Sequence, residues 1–537
     1  MFIIDNPEFV RLRRIKLRPR SMILLGVVSL GIFGSMLALF QFGNRAAPTP
    51  LMPQYFFFTA IGFQLGLGAL YALMLSSQNI TLERERNTYD FQRMVAIGPW
   101  RLGVGKLFGS ACEAAYGMLG GVLFTLYPVL TGHVSILIWL KAQIVAYVFA
   151  LLVTSFGLMC SSMVAKTSYS TGMMLLFIVF AVPMMIAAVK WGGSVWSAAS
   201  PIRMYYELYS ECNPSLYTPT RIGFFGSSFL SMFEAFLLIN CAGIALFFVL
   251  AVRRMTDEEL SIIRPRHGVI AFALLQTLLI GSCWDMYSFP SMKAESLMIY
   301  HIVNATVLMF LAFGLTPTAE LLRGRLSRGR RNEHWKIFFE LRNRLEDSPA
   351  ISSVALFALA YAVLAGILTY ELQIITLQSV LIIAMVVGMA IATASMLLYI
   401  SVYTERGALK IGALIVVLAL TIPPMIVGPL WQEKVFSINP YAYMAAFGND
   451  PEFIHSVRIG KEISPIACPI LCVSLGVLLS LLAAMRIRFL LDLDEMQRQK
   501  EQGDVAKPSN EKVSAARAML AKKEESDLPA EIKPDAN

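Results

Sequence analysis

The chain has 537 residues, 56% of them hydrophobic and only 15% charged, with a formal net charge of +9. Soluble domains carry about 25% charged residues, so the composition excludes an ordinary water-soluble protein and makes lipid the solvent for most of the chain. The positive balance does not mark a nucleic-acid binder, because the Lys and Arg residues are gathered between apolar blocks.

The first segment, residues 1–21, sets Phe9, Val10, Leu12 and Ile15 among Arg11, Arg13, Arg14, Lys16, Arg18 and Arg20. That mixture predicts a basic helix lying in the membrane interface, its cations reaching for lipid phosphates. Apolar blocks of about 20 residues follow, the length a helix needs to cross the hydrocarbon core. Backbone polar groups cannot be left bare in lipid, so the blocks are read as helices. The spans run near Met22–Phe42, Gln54–Ser77, Lys106–Leu130, Val134–Ser162, Ser170–Val189, Phe229–Val252, Gly268–Trp284, Ser296–Thr316, Pro349–Thr369, Thr376–Val402, Ala408–Trp431 and Ile466–Met485. The first apolar run exceeds the roughly 7–15 residues of a cleaved signal sequence. The fold class is therefore all-α, a polytopic helical membrane protein of about twelve spans.

Charge orients these spans. Arg84, Arg86, Arg93, Arg101 and Lys106 crowd the loop after the second span, whereas Arg45 stands alone after the first. Arg253, Arg254, Arg264 and Arg266 follow the sixth span, and Arg323, Arg325, Arg328, Arg330 and Arg331 follow the eighth. Basic loops stay in the cytoplasm, which places both termini there and requires an even number of spans. Residues 491–537 are charged and poor in large apolar residues, so they read as a cytoplasmic tail without a core of its own.

An internal repeat organises the chain. Ser200-Pro201 leads to Tyr205 after the fifth span, and Asn439-Pro440-Tyr441 follows the eleventh. Proline suits the first turn of a helix, so both stretches predict short re-entrant segments at the outer surface. Lys166 lies 35 positions before Pro201, and Glu405 lies 35 positions before Pro440. The pattern reads as two six-helix bundles in tandem, residues 22–266 and 267–490.

The most informative stretch follows the second span. Glu83-Arg84-Glu85-Arg86 is a mixed-charge run, then come Thr88, and Phe91, Met94 and Val95 at helical spacing. Gly98-Pro99 ends that helix, and Gly105-Lys106 leads into the third span. A short helix with apolar knobs on a cytoplasmic loop suits docking into a groove on a soluble partner. This order resembles the membrane subunit of type-2 ATP-binding-cassette (ABC) exporters, which share an E-R-E-x-x-T stretch, a short apolar helix, a proline and a Gly-Lys pair. Residues 1–266 carry the resemblance, and the loop Glu320–Pro349 of the second half lacks that stretch. The resemblance implies a cytoplasmic ATPase, in two copies, bound through Glu83, Arg84, Glu85, Arg86, Thr88, Phe91, Met94, Val95, Pro99, Gly105 and Lys106. It also implies a location in the cell (inner) membrane.

Other chemistry is poorly supported. A phosphate loop needs G-x-x-x-x-G-K-[ST]. Gly105-Lys106 has Trp100 in place of the first glycine, and Gly460-Lys461 is followed by Glu462. The chain is therefore not expected to be an enzyme, and no catalytic, metal or cofactor residues are assigned. The five histidines are isolated in sequence and read as loop or interfacial side chains, and the seven cysteines as small packing residues. Glu113, Lys141 and Glu234 are read as charges that snorkel towards an interface. An ion-coupled secondary transporter and a non-transport scaffold remain the alternative readings.

Overall fold

A computed structural model of the chain describes residues 6–46, 52–89, 92, 97–163, 195–213, 221–224, 227–256, 263, 265–287, 293–316, 350–373, 377–403 and 470–485. The helices are α1 (Pro7–Lys16), α2 (Pro19–Ala46), α3 (Met52–Ser77), α4 (Asn79–Glu85), α5 (Pro99–Leu130), α6 (Ile136–Met163), α7 (Val195–Ala199) and α8 (Pro201–Cys212). A hairpin of β1 (Arg221–Phe224) and β2 (Ser227–Ser231) precedes α9 (Met232–Thr256), α10 (Pro265–Tyr287), α11 (Lys293–Leu315), α12 (Ala350–Glu371) and α13 (Leu377–Tyr403). A further apolar helix, α14, covers Ile470–Met485. Among the described residues, seven helices are long and apolar enough to cross a membrane, and shorter apolar runs lie in α10, α11 and α14. The chain is thus a helical, membrane-type polytopic protein.

The predicted spans Ser170–Val189 and Ala408–Trp431 lie outside the described residues, as do Phe91, Met94, Val95, Pro440, Tyr441 and residues 486–537. The described chain as far as Ser480 belongs to one compact unit, and a second begins at Leu481.

Three boundaries differ from the sequence reading, each for a local reason. The third apolar helix begins at Pro99, not Lys106, because Pro99 occupies the first helical turn, where a missing N–H costs nothing. Phe229 belongs to strand β2, and α9 starts only at Met232. There Ser231 and Glu234 form a reciprocal capping box: the Ser231 N–H donates to Glu234 Oε2 at 2.9 Å, and the Glu234 N–H donates to Ser231 Oγ at 3.3 Å. Glu234 therefore has a structural task at the helix start. The seventh span, read as Gly268–Trp284, runs from Pro265 to Tyr287, with proline again in the first turn.

Helices α3, α5, α6 and α9 pack as one group, with α2 laid against α5 and α3. Helices α10 to α13 form a second group. A single apolar core joins the two, running from Ile80, Leu158 and Met255 to Leu308, Phe357 and Met385. Small residues allow the closest approaches. A Cβ on Gly120 would run into Ser29 Oγ, and one on Gly388 would meet the Cys472 carbonyl carbon at 2.9 Å. Lipid tails are as apolar as leucine, so helices in a membrane associate through such packing and through hydrogen bonds. Gln64 Nε2 donates to Gln143 Oε1 at 2.8 Å, and Gln143 Nε2 and Trp139 Nε1 donate to Thr125 Oγ1 at 3.0 and 3.1 Å.

The crossing of α13 and α14 is backbone on backbone, since a Cβ on Gly476 would also meet the Gly388 carbonyl oxygen at 2.9 Å. Backbone cannot step aside as a side chain can. Gly388→Leu is predicted to lower thermal stability in detergent by about 1–3 kcal/mol. Gly366→Leu, which meets nothing within 4 Å, should leave the melting curve unchanged.

Candidate functional site

The site gathers at one end of the first helical group, where α1, α4 and the first turns of α5 meet. Helix α1 is started by Asn6, whose Oδ1 accepts from the Glu8 N–H at 3.0 Å, with Pro7 in the first turn. The same Asn6 side chain donates to the Arg101 carbonyl at 2.6 Å, which ties the start of α1 to the start of α5. Two glycines on α5 let α1 lie close: a Cβ on Gly105 would meet Glu8 Cβ at 2.7 Å, and one on Gly109 would meet Leu12 Cδ1 at 2.8 Å.

Four charges meet at this junction, three of them buried and Arg11 partly exposed. Lys106 is 0% exposed, and Glu8 and Glu83 are buried. Lys106 Nζ donates to Glu8 Oε1 at 3.2 Å and to Glu83 Oε2. Arg11 forks onto Glu8, with Nε to Oε2 and Nη2 to Oε1 each at 2.8 Å, and also donates to Glu83 Oε1. The Glu8 hydrogen bonds are the largest influence that holds the Arg11 guanidinium above its ordinary pKa, with Glu83 adding to it. Two cations and two carboxylates make the cluster neutral. Buried charge is tolerated on this condition of pairing and hydrogen bonding.

Helix α4 is fixed on its other sides as well. Ser161 Oγ on α6 accepts from the Ile80 and Thr81 N–H groups at 2.9 and 3.2 Å. Asn79 Nδ2 donates to Ser110 Oγ on α5 at 2.9 Å. Arg84 donates to the Ser162 carbonyl at 3.2 Å and lies over the buried Tyr89 ring. The helix ends in a Schellman turn: the Asn87 N–H donates to the Arg84 carbonyl at 3.0 Å and the Thr88 N–H to the Glu83 carbonyl at 2.9 Å. Asn87 has a φ of 55°, a left-handed conformation that asparagine adopts more readily than most residues.

The structure thus divides the predicted coupling residues. Glu83 and Lys106 face inward in the ion cluster, Arg84 grips α6, Gly105 gives α1 room, and Thr88 closes the turn. Glu85, Arg86 and Pro99 are exposed. Sequence reasoning missed Asn6, Glu8 and Arg11 as partners of this motif. The available signal was Glu8, one of two acidic residues, with Asp5, in a basic segment that sequence assigned to lipid.

At the opposite end of the group, Ser200 caps α8 and Pro201 occupies its first turn. Tyr205 is buried, and its hydroxyl donates to the Ala142 carbonyl at 3.4 Å. Lys141 pairs with Glu211 of α8 at 2.8 Å, so this charge joins two elements instead of only snorkelling. Glu113 accepts from the Tyr71 hydroxyl at 2.7 Å and stands 3.6 Å from Lys16, whose pKa burial lowers. His133 and His267 are exposed, as expected of interfacial side chains, but His301 is not: it lies within α11, fully buried, 2.6 Å from the Tyr361 hydroxyl. Isolation in sequence misled there, because its partner is 60 residues away on α12.

No known protein family, curated protein or solved structure matches this chain.

The cluster makes a sharp energetic prediction. Lys106→Met leaves two buried carboxylates sharing the single, partly exposed Arg11 guanidinium, and should destabilise the folded chain by about 3–5 kcal/mol. The Lys106→Met, Glu83→Gln pair should be less destabilised than the two single changes combined, because the second change removes the negative charge that the first leaves in excess. Thermal unfolding of the four chains in detergent completes the double-mutant cycle, and strict additivity would show that the two side chains do not interact.

Proposed function

We propose that this chain is the membrane-spanning permease of an ABC transporter, an exporter whose ATP is hydrolysed by a separate cytoplasmic ATPase. In this reading two six-span modules, residues 22–266 and 267–490, give about twelve spans in the cell membrane, with both termini cytoplasmic. The observation that carries the proposal is the neutral ion cluster of Glu8, Arg11, Glu83 and Lys106. Together with Ser161, Asn79 and Arg84, it makes α1, α4 and the start of α5 one braced body.

Bracing of this kind suits the transmission of force. A partner that pushes on a flexible loop moves only the loop. A partner that pushes on residues 86–98 acts instead on a segment whose two ends are locked, at Thr88 by the Schellman turn and at Pro99 by the start of α5. The exposed Glu85 and Arg86 lie on the side open to such a partner. Phe91, Met94 and Val95 supply the apolar knobs that fill its groove. Closure of two ATPase copies on ATP binding then tilts α5 and α3 together and switches access across the membrane.

One observation favours the alternative of an ion-coupled carrier: His301 is an ionisable side chain deep inside α11, and buried ionisable groups in membrane helices mark ion or substrate pathways. The two readings separate by experiment. The purified wild-type chain is expected to carry an ATP-hydrolysing partner, and replacing both Phe91 and Met94 by Asp should release that partner while the chain still inserts and melts as before. Unchanged co-purification of the ATPase rejects the docking role. Substrate flux driven by an ion gradient, with no ATPase present, selects the carrier.

A further inference from the structure

The first turn of α5 carries a large apolar side chain that takes no part in the ion cluster. Trp100 is 57% exposed, although the helix start that holds it is fixed by Pro99 and by the bond from Asn6 to the Arg101 carbonyl. Its ring meets Phe248 of α9 edge-on, with centroids 5.7 Å apart and planes at 60°. The two helices are close here, because a Cβ on Gly103 would meet both Phe248 and Val252. Trp100 therefore has a defined place beside α9, while more than half of its surface is left uncovered by the chain.

Helix α9 supplies the scale of depth. It is one of the seven helices long and apolar enough to cross a membrane. Towards this end its uncovered side chains are apolar, with Leu246 50% and Val249 45% exposed. Its last turn is basic, with Arg253 and Arg254. Phe248 stands about 7–8 Å along the helix axis before Arg253, at 1.5 Å per residue. In a bilayer the leucine and valine belong to the hydrocarbon and the two arginines to the headgroups, so the ring beside Phe248 falls between them. The polar layer on each face is about 5–8 Å thick, which matches that distance.

Tryptophan suits this depth, because its rings are apolar while its N–H still finds a polar partner. Two surfaces can cover an exposed indole. A soluble partner would have to reach Trp100 alongside the lipid-facing side of α9, whereas lipid meets that side in any case.

We propose that Trp100 is an anchor in the membrane–water interface at the basic end of α9. Its indole lies among the glycerol and headgroup atoms of phospholipids, and the exposed Arg101 beside it reaches for phosphate. The segment 86–98 is then held differently at its two ends, by the Schellman turn at Thr88 and by a ring seated in lipid just after Pro99. This inference is independent of the ATPase reading, since lipid contact requires no motor.

The test uses the full chain in phosphatidylcholine nanodiscs without ATPase, its seven tryptophans replaced by fluorotryptophan. The fluorine resonance that vanishes in Trp100→Phe identifies the ring, and Trp100→Tyr gives the same assignment if the first variant folds poorly. Two paramagnetic agents are then compared: a phosphatidylcholine spin-labelled near the head of one acyl chain, and a water-soluble gadolinium chelate. The spin-labelled lipid should broaden the Trp100 resonance beyond detection, and the chelate should leave it visible. Broadening by the chelate that equals or exceeds broadening by the lipid overturns the proposal. A resonance left sharp by both agents shows that the chain itself covers the ring, and overturns it too. A ring open to the chelate in the free chain but shielded by the co-purified ATPase would assign Trp100 to that partner instead of to lipid.

Discussion

A lysine ammonium shut away from water must be neutralised where it stands, and much of the first helical group is arranged around that requirement at Lys106. Desolvating an ammonium costs several kcal/mol even after relaxation, so two carboxylates approach it, Glu8 from α1 and Glu83 from α4. Two carboxylates against one ammonium would leave an excess negative charge, and Arg11 cancels it. Segments far apart in the chain are thereby held at one point. The geometry then needs room, which Gly105 and Gly109 supply by letting α1 lie on α5. It also needs a defined end to α4, which Asn87 and Thr88 supply. The run Glu83 to Thr88 is thus first a device for ending a helix while presenting a carboxylate inward.

Much of the architecture was legible in the sequence because lipid imposes a coarse rule. Apolar blocks of spanning length appear as helices wherever the two can be compared, and Ser200-Pro201 reads as a helix start and is one. Chain-distant pairing was not legible. Glu8 and Lys106 are 98 residues apart, and no local pattern states that an acid in a basic segment is reserved for a lysine elsewhere. Pro99 was ambiguous for a physical reason: proline ends one helix and begins the next with equal ease, and here it begins α5, which moves Lys106 from a loop to the helix interior. The hairpin β1–β2 escaped notice because two short strands add little periodicity between apolar blocks. His301 was misjudged because a lone histidine acquires meaning only from Tyr361 across the helix interface.

The two helical groups solve the same association problem differently. The first lines α5 with glycines, which bring α1 and α2 close, and closes a chain of amides and hydroxyls between α3, α5 and α6. The second uses backbone contact at Gly388 and Gly476, and a larger set of aromatic and amide groups around Gln276. Buried charge among the described residues lies at the first group's junction and at Arg203 and Glu207 of α8, while the buried set around Gln276 is formed of amides, phenols and an imidazole.

The central claim is that Lys106 locks α1 to α4 as one mechanical body. Amide hydrogen exchange of the full chain in nanodiscs measures that directly, because segments that open together exchange together. Residues Pro7–Lys16 and Asn79–Glu85 should be protected to a similar degree, and Lys106→Met should release both at once while α9 stays protected. An α1 that exchanges freely in the unaltered chain, or a Lys106→Met chain in which only one of the two segments loosens, would contradict the account.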